Sequence, residues 1–207
     1  MFHPSQSSPL IPRPSIARCI LLMAVSLVCS TLAWSEDWTG AGPTVPQSAE
    51  ISIMGIRLAD PESSKKMLGP DIETLEQDGG FPSAHYLSSD GKEWLTLVTH
   101  NGDVVNSFNE MRIELAGPKT PAKAQKLPEV LHFVTGKGVQ LGATLAEVQE
   151  KLGKGTLTKE SGKEVLAYAI VDEKSPFLKS FGMPSYYGRY TFKEGKLISI
   201  AFGFEYP

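Results

Sequence analysis

The feature that most constrains the fold is a short sequence block that occurs twice. The clearer copy spans residues 141–153, and a more divergent copy spans residues 58–69. In each copy a helix-capping residue, Thr144 or Asp60, is followed nine positions later by a glycine that a leucine precedes. Because recurrence of a unit along a chain indicates a repeat architecture, the sequence predicts a tandem-repeat domain.

Each block predicts one helix with defined ends. Asp60 is a favourable N-cap and Pro61 suits the first helical position, where its missing N–H costs nothing. In the second block, Thr144 and Glu147 have the spacing of a capping box. Leu145, Val148 and Leu152 recur at helical spacing and predict an apolar stripe that faces a core.

β-rich sequence follows each helix. Asp90-Gly91 and Asn101-Gly102 are dipeptides typical of tight hairpin turns, and residues 172–184 read as a loop. Strands are predicted at residues 51–58, 84–88, 93–99, 104–108 continuing into 111–115, 130–134, 164–171, 186–192 and 197–202. Helices on one side of a mostly antiparallel sheet give an α+β two-layer domain, in which the opposite face of the sheet is open.

The composition along the chain divides it into segments. A Gly, Pro and Lys-rich stretch separates the two halves and reads as an exposed linker. The expected organisation is a signal peptide at residues 1–35, a flexible tail at 36–50, a first repeat at 51–116, a linker at 117–129 and a second repeat at 130–207.

The N-terminus has the pattern of an export signal. Arg13 and Arg18 precede the apolar run 19–32, and Thr31-Leu32-Ala33 offers small residues for cleavage. A membrane anchor is the alternative, but the run is shorter than the roughly 20 residues that span a bilayer. Cleavage would leave a periplasmic or secreted chain with no stable membrane span.

Cysteine usage and charge narrow the classes of function. Both cysteines, Cys19 and Cys29, lie inside the signal. Cys29 is a poor lipidation site because the branched residue Val28 precedes it. The remaining chain therefore has no disulfide, thiol nucleophile or cysteine-based metal site. Two of the 20 basic residues, Arg13 and Arg18, lie in the signal, so the remaining chain has 23 acidic and 18 basic residues, an excess of acid that argues against nucleic acid as a partner.

Signals for catalysis are weak. His85, His100 and His132 lack the spacing of metal ligands, and the Gly-x-Ser-x-Gly elbow of many serine hydrolases does not occur. We expect no cofactor and no metal. A small secreted hydrolase that uses His85 or His132 with nearby carboxylates stays open as an alternative.

An aromatic segment, residues 177–190, is the strongest candidate for a binding site. Interface cores are enriched in aromatic residues and arginine, so the sequence predicts partner contacts by Phe177, Phe181, Tyr187 and Arg189. The alternative is that both phenylalanines fold back onto the core. Tyr187 and Arg189 share one strand face by period-two alternation, and we expect them to point outward.

The pattern resembles the tandem-repeat domains of the β-lactamase inhibitor protein superfamily. It is also similar to small outer-membrane-assembly lipoproteins that carry one such unit. The resemblance rests on Gly138-Val139-Gln140-Leu141-Gly142, on residues 148–153, on Tyr168 and on Tyr190–Leu197. It covers residues 130–206 well and 51–115 loosely, and this chain lacks the paired cysteines of some members.

The resemblance implies exported, non-enzymatic binders or scaffolds. Together with the absence of a catalytic pattern, it predicts a binding or scaffold module of the bacterial envelope. Such a module would bind an envelope or secreted protein through the open sheet face and the aromatic segment. A purely structural envelope protein is a third possibility.

Overall fold

The computed structural model describes residues 44–76 and 80–206. The chain is sheet-dominated, with 14% helix and 35% strand, which confirms the α+β class. The predicted signal peptide and residues 36–43 of the predicted tail lie outside the described residues. Every helix within the described ranges is too short or too polar to traverse a bilayer.

Fourteen elements occur in the described ranges. In chain order they are β1 Ser52–Ile53, β2 Ile56–Arg57, α1 Pro61–Leu68, β3 Leu75–Glu76, β4 Pro82–Leu87, β5 Glu93–Val98, β6 Glu110–Leu115, β7 Gln125–Lys126, α2 Leu145–Leu152, β8 Thr156–Glu160, β9 Lys163–Ile170, α3 Pro176–Phe181, β10 Tyr186–Lys193 and β11 Lys196–Phe204.

One large sheet organises the molecule. Its strand order is β3-β4-β5-β6-β11-β10-β9-β8, and these neighbours are all antiparallel. Strand β7 adds a parallel pairing to β4. At the centre, β6 pairs with β11, where Ile113 lies opposite Ile200 and Met111 opposite Phe202. The order therefore places the last strand of each half of the chain side by side.

The hydrophobic core lies on one face of this sheet. Alternate residues of each strand point into it because strand side chains have period two. The core includes Leu95 and Leu97 of β5, and the helices add Val148 and Leu152 of α2 and Leu178 of α3. The helices therefore cover one face, and we call the opposite face the open face.

The two helices predicted from the repeated block begin and end as expected. The Asp60 side chain accepts a hydrogen bond from the Ser63 N–H, and Thr144 and Glu147 form a complete capping box. Gly69 and Gly153 end the helices at φ 89° and 87°, a left-handed conformation that favours glycine over other residues. Local sequence thus sets both boundaries.

Two buried carboxylates tie the halves of the chain together. Glu50 accepts hydrogen bonds from the N–H groups of Ile51 at 3.1 Å and Lys137 at 2.9 Å. Glu93 accepts from the Phe133 N–H at 2.8 Å. Buried N–H groups are costly when unpaired, so these carboxylates fix the loop at residues 132–137 against the first half.

Several predicted strand and loop assignments are wrong. Residues 104–108 and 130–134 form turns and bends rather than strands, and residues 51–58 form the short β1–β2 hairpin instead of one strand. The predicted linker contributes β7, which pairs with β4. Asn101-Gly102 forms the predicted turn, in which the Asp103 N–H donates to the His100 carbonyl at 3.2 Å. The turn does not lead directly into a strand, because residues 104–108 belong to a long connection whose base is closed by the His100 N–H and the Asn109 side chain.

The described part of the predicted flexible tail is held in place. Thr44 bridges Tyr168 of β9, and the Gln47 N–H donates to the Leu152 carbonyl at 3.0 Å. The predicted loop at residues 172–184 contains α3, Pro176–Phe181, with Gly182 as its C-cap. The sequence prediction missed α3 because six residues are too few to show helical periodicity.

Candidate functional site on the open face of the sheet

The open face carries polar and charged side chains in rows across the strands. The row through the middle of the sheet shows the pattern. Its members are His85 (β4), Thr96 (β5), Arg112 (β6), Ala201 (β11), Arg189 (β10), Ala167 (β9) and Thr156 (β8). Two arginines therefore flank one alanine at the centre of the sheet.

A groove runs along the central strand β11. Its floor consists of the small, partly exposed residues Ser199 and Ala201, because a small side chain at each position leaves space above the strand. The walls come from the neighbouring strands and are Glu110, Arg112 and Glu114 of β6 and Tyr187, Arg189 and Thr191 of β10. With strands about 4.8 Å apart, the walls of this β11 groove stand about 10 Å from each other.

Gly203 lies at the end of the groove nearest the C-terminus of β11, which we call the upper end. It is required for close packing of the sheet there. A Cβ atom there would lie 2.3 Å from the Asn109 carbonyl oxygen and 2.6 Å from the Glu110 Cα. Both are backbone atoms, which cannot move aside without displacing the start of β6. The glycine therefore keeps β6 and the groove wall in register with β11.

The lower end of the groove widens into a hollow of about 310 Å³. The residues that line this hollow are Glu114, Leu115, Lys163, Thr191, Ile198 and Ser199. A β-bulge lies beside it, because the pairing of β10 with β11 shifts between Thr191 and Phe192. The bulge makes Ile198 an extra residue in β11, so Ile198 and Ser199 lie next to each other at the hollow.

Glu110 is the centre of an ordered charge network at the upper end. The Tyr187 hydroxyl donates to Glu110 Oε2 at 2.5 Å and Arg112 donates to the same oxygen at 3.0 Å. His100 Nε2 lies 3.4 Å from Glu110 Oε1. Burial raises the pKa of Glu110, but His100, Arg112 and Tyr187 outweigh it and hold the pKa at about 2.

The same network changes the titration of Tyr187. Burial and the negative charge of Glu110 raise the pKa of Tyr187 well above its usual value. Burial lowers the pKa of Arg112, but its contacts with Tyr187 and Glu110 outweigh burial and raise it. Near neutral pH the two walls are thus joined across β11 by a neutral phenol that donates to a carboxylate, with the Arg112 guanidinium beside them.

Aromatic rings cover the end of this network. His100 is 3% exposed, and its ring centroid lies 5.6 Å from that of Phe81 and 5.4 Å from that of Tyr206. Phe81 and Tyr206 also contact each other, with centroids 5.1 Å apart. These rings restrict access of water to the His100–Glu110 pair.

A second ion pair lies on the other wall of the groove. Arg189 donates through NH2 to Glu160 Oε2 of β8. Both side chains are partly exposed, so the pair contributes little to folding stability. Its effect is to direct the Arg189 guanidinium across β9 towards β8.

His85 has a serine partner, but the hydrogen bonds oppose general-base catalysis. Trp94 Nε1, which can only donate, donates to His85 Nδ1 at 3.3 Å. In the neutral ring the proton is therefore on Nε2, which lies 3.0 Å from the Ser83 hydroxyl oxygen and donates to it. Burial lowers the pKa of His85, which favours the neutral ring, and in this tautomer Nε2 already carries a proton and cannot accept one from Ser83.

His132 lies away from the open face. Its Nδ1 is 2.7 Å from Glu93 Oε1, and the other oxygen of Glu93 accepts from the Phe133 N–H. The pair therefore holds a loop in place. Among the described residues, no group of three or more His, Cys, Asp and Glu side chains could hold a metal ion.

The four residues of the predicted binding site do not form one surface. Tyr187 and Arg189 lie on the open face, on the expected shared side of β10. Phe177 and Phe181 instead pack against the core, with ring centroids 5.4 Å from Tyr186 and 4.9 Å from Phe204 respectively. The expectation that the aromatic segment forms a single site is therefore corrected.

Sequence reasoning missed the β6 wall of the groove. In Glu110-Met111-Arg112-Ile113-Glu114, charged and apolar residues alternate strictly, which is typical of a strand with one solvated face. The alternation identified the strand, but it could not show that β6 lies beside β11 and faces Tyr187 and Arg189. That placement depends on pairing between distant parts of the chain.

No protein-family model, no curated protein and no solved structure matches this chain.

Proposed function

We propose that this protein is an exported, non-enzymatic binding module of the bacterial envelope that contacts a partner protein through the β11 groove. The observation that carries the proposal is the ordered row of Arg112, Ala201 and Arg189 on a sheet face opposite the helices. The proposal keeps Tyr187 and Arg189 of the residues predicted from sequence. Phe177 and Phe181 have no part in it, since they pack against the core.

The chemistry of the groove suits a protein surface. Arginine and tyrosine are the residues that contribute most often to binding energy at interfaces. Here Arg112 and Tyr187 are held by Glu110, and Arg189 is held by Glu160. Side chains that are already ordered lose less conformational entropy when a partner binds. The groove thus offers pre-positioned donors above a floor of small residues.

The arrangement of elements supports a tandem-repeat origin related to the β-lactamase inhibitor protein superfamily. The strand order is symmetrical about the β6–β11 pair, with an edge strand and three further strands on each side. The helices α1 and α2 have eight residues each, with the same capped start and the same glycine end. A repeat of one helix-and-sheet unit accounts for both features.

Export and the absence of catalysis rest on separate arguments. The sequence of residues 1–35 has the pattern of a signal peptide, and the remaining chain has no cysteine that an oxidising compartment would pair. The hydrogen bonds of His85 place its proton on the side of Ser83. The hydrolase alternative would need the opposite tautomer, so the binding role is favoured.

Arginine substitutions on and off the groove test the proposal. Purified wild-type protein, Arg112→Ala, Arg189→Ala and the control Arg57→Ala would each be immobilised and exposed to an envelope extract. Arg57 is an exposed arginine of β2, away from the groove. We expect wild type and Arg57→Ala to retain the same protein and both groove variants to lose it while still folded, with Arg112→Ala melting at a lower temperature than Arg57→Ala because Glu110 loses a partner. Equal retention by all four proteins would contradict the proposal.

A further inference from the structure

The described part of the chain begins at the edge of the open face. Thr44, its first residue, pairs in parallel with Tyr168 of β9. The Thr44 N–H donates to Thr156 Oγ1 at 3.1 Å, and the hydroxyl oxygens of the two threonines lie 3.0 Å apart. Thr156 lies opposite Ala167 and is the β8 member of the middle row of the open face. The chain that precedes Thr44 therefore arrives beside the last residue of this row.

Strand β8 blocks the path of the preceding chain in the plane of the sheet. Thr44 lies beside Tyr168 on the same edge of β9 where β8 pairs with residues 163–167. Because Thr44 runs parallel to β9, the residues before it are directed back towards the start of β8, where the place beside β9 is already taken. The Thr44 N–H, on the side of Pro43, points to a hydroxyl on the open face. The preceding chain therefore comes from that face.

The preceding segment has one large apolar side chain and a slim backbone. Residues 36–43 read Glu-Asp-Trp-Thr-Gly-Ala-Gly-Pro, with Trp38 as the large side chain. Pro43 favours an extended conformation of Gly42. Glycine and alanine let a backbone approach a surface closely, because they carry little or no side chain. The segment is therefore suited to lie across a sheet and to anchor itself through Trp38.

The segment is long enough to reach the β11 groove. Ala201 in the floor of the groove is three strands away from Thr156 along the middle row, or about 14 Å at about 4.8 Å per strand. Trp38 precedes Thr44 by six residues, which span up to about 20 Å when extended. The remaining length allows the backbone to pass over the side chains of β9 and β10.

The surroundings of Ala201 suit an indole ring. Ala201 is small and partly exposed, and Arg112 and Arg189 flank it in register, with side chains 41% and 27% exposed. Each guanidinium binds its carboxylate through hydrogen bonds in its own plane, so these ion pairs do not use its flat faces. Tryptophan is the aromatic side chain that attracts such a cation most strongly. The middle row therefore offers a small floor with two stacking partners.

We propose that residues 36–43 cross the open face and place Trp38 on Ala201, between Arg112 and Arg189, so that the chain covers its own groove. This contact rests on the groove assigned in the proposed function and adds an occupant to it. A tethered segment acts at a high effective concentration. A partner would have to displace Trp38, which lowers the apparent affinity of the groove for that partner.

The fluorescence of Trp38 tests the contact without any partner. The chain has three tryptophans, so Trp34→Phe and Trp94→Phe leave Trp38 as the one emitter in the purified protein. With acrylamide as the quencher, we expect a quenching constant several-fold below that of N-acetyltryptophanamide. A constant equal to that of the amide would mean that Trp38 is fully accessible and would overturn the proposal.

Substitutions in the groove show where Trp38 lies. In the same background, Arg112→Ala, Arg189→Ala and Ala201→Leu should each raise the quenching constant several-fold, whereas the controls Arg57→Ala and Ala146→Leu should leave it unchanged. Ala201→Leu fills the floor but keeps both ion pairs, so it decides the question even if an arginine variant fails to fold. Unchanged quenching in folded Ala201→Leu would overturn the proposal.

A partner assay separates this contact from the proposed function. Trp38→Ala should bind the protein that wild type retains from an envelope extract several-fold more tightly, because the competing side chain is gone. Equal or weaker binding would contradict the covering of the groove. If neither protein retains a partner, the proposed function fails, while the quenching of Trp38 still decides whether the segment covers the groove.

Discussion

Replacing Glu110 by glutamine is expected to flatten the dependence of stability on acid pH. In the folded protein the pKa of Glu110 is about 2, against a usual value of 4.5. A difference of about 2.5 units corresponds to about 3 kcal/mol at 1.36 kcal/mol per unit. Because the folded pKa is the lower one, this stability is fully present above the unfolded pKa and is lost as the pH falls towards about 2.

Urea unfolding at neutral pH and at about pH 3 measures this contribution. By about pH 3 the wild-type protein should have lost about 2 kcal/mol through Glu110. Glu110→Gln should be less stable than wild type at neutral pH and should lose correspondingly less on acidification. Glu114→Gln, which removes a carboxylate from the same strand and face, is the matched control. The reasoning fails if Glu110→Gln keeps the wild-type difference between the two pH values.

Three further substitutions test packing and local geometry through urea midpoints. Leu152→Ala removes a core side chain of α2 and should cost about 2–5 kcal/mol, whereas Leu157→Ala, at a side chain 43% exposed, should cost at most about 0.5 kcal/mol; equal costs would mean that α2 does not bury this stripe. Thr144→Ala should cost about 1 kcal/mol through the lost cap, and no change would show that the capping box contributes nothing. Gly203→Ala should cost about 1–3 kcal/mol or more because its Cβ would meet backbone, and an unchanged midpoint would contradict this close approach.

Local chemistry made the second half of the fold predictable. The capping box at Thr144 and Glu147 and the turn at Glu194-Gly195 are encoded within a few residues, and the corresponding elements lie close to where they were predicted. By contrast, β8 follows α2 after Gly153-Lys154-Gly155 and has only one apolar residue, Leu157, so its sequence does not identify it as a strand. Its identity depends on pairing with β9, which Thr158 and Val165 illustrate.

The candidate site was predictable only in part, because it too depends on pairing between strands that are distant in the sequence. Period-two alternation correctly placed Tyr187 and Arg189 on one face of β10. Alternation does not show which strands pair with β10. The sequence therefore could not place Arg112 and the small residues of β11 beside Tyr187 and Arg189. The aromatic composition of residues 177–190 was misleading because Phe177 and Phe181 belong to α3, whose apolar face packs on Phe204.

Filling the floor of the β11 groove tests the proposed binding role most directly. Ala201 is partly exposed between Arg112 and Arg189, so a tryptophan there blocks the groove without entering the core. Ala146→Trp places the same side chain on the exposed surface of α2. The probe is the protein that wild type retains from an envelope extract, and it is titrated against each variant. We expect Ala201→Trp to lose binding and Ala146→Trp to keep the wild-type affinity, with both variants folded. Undiminished binding by folded Ala201→Trp would contradict the assignment of the open face as the binding surface.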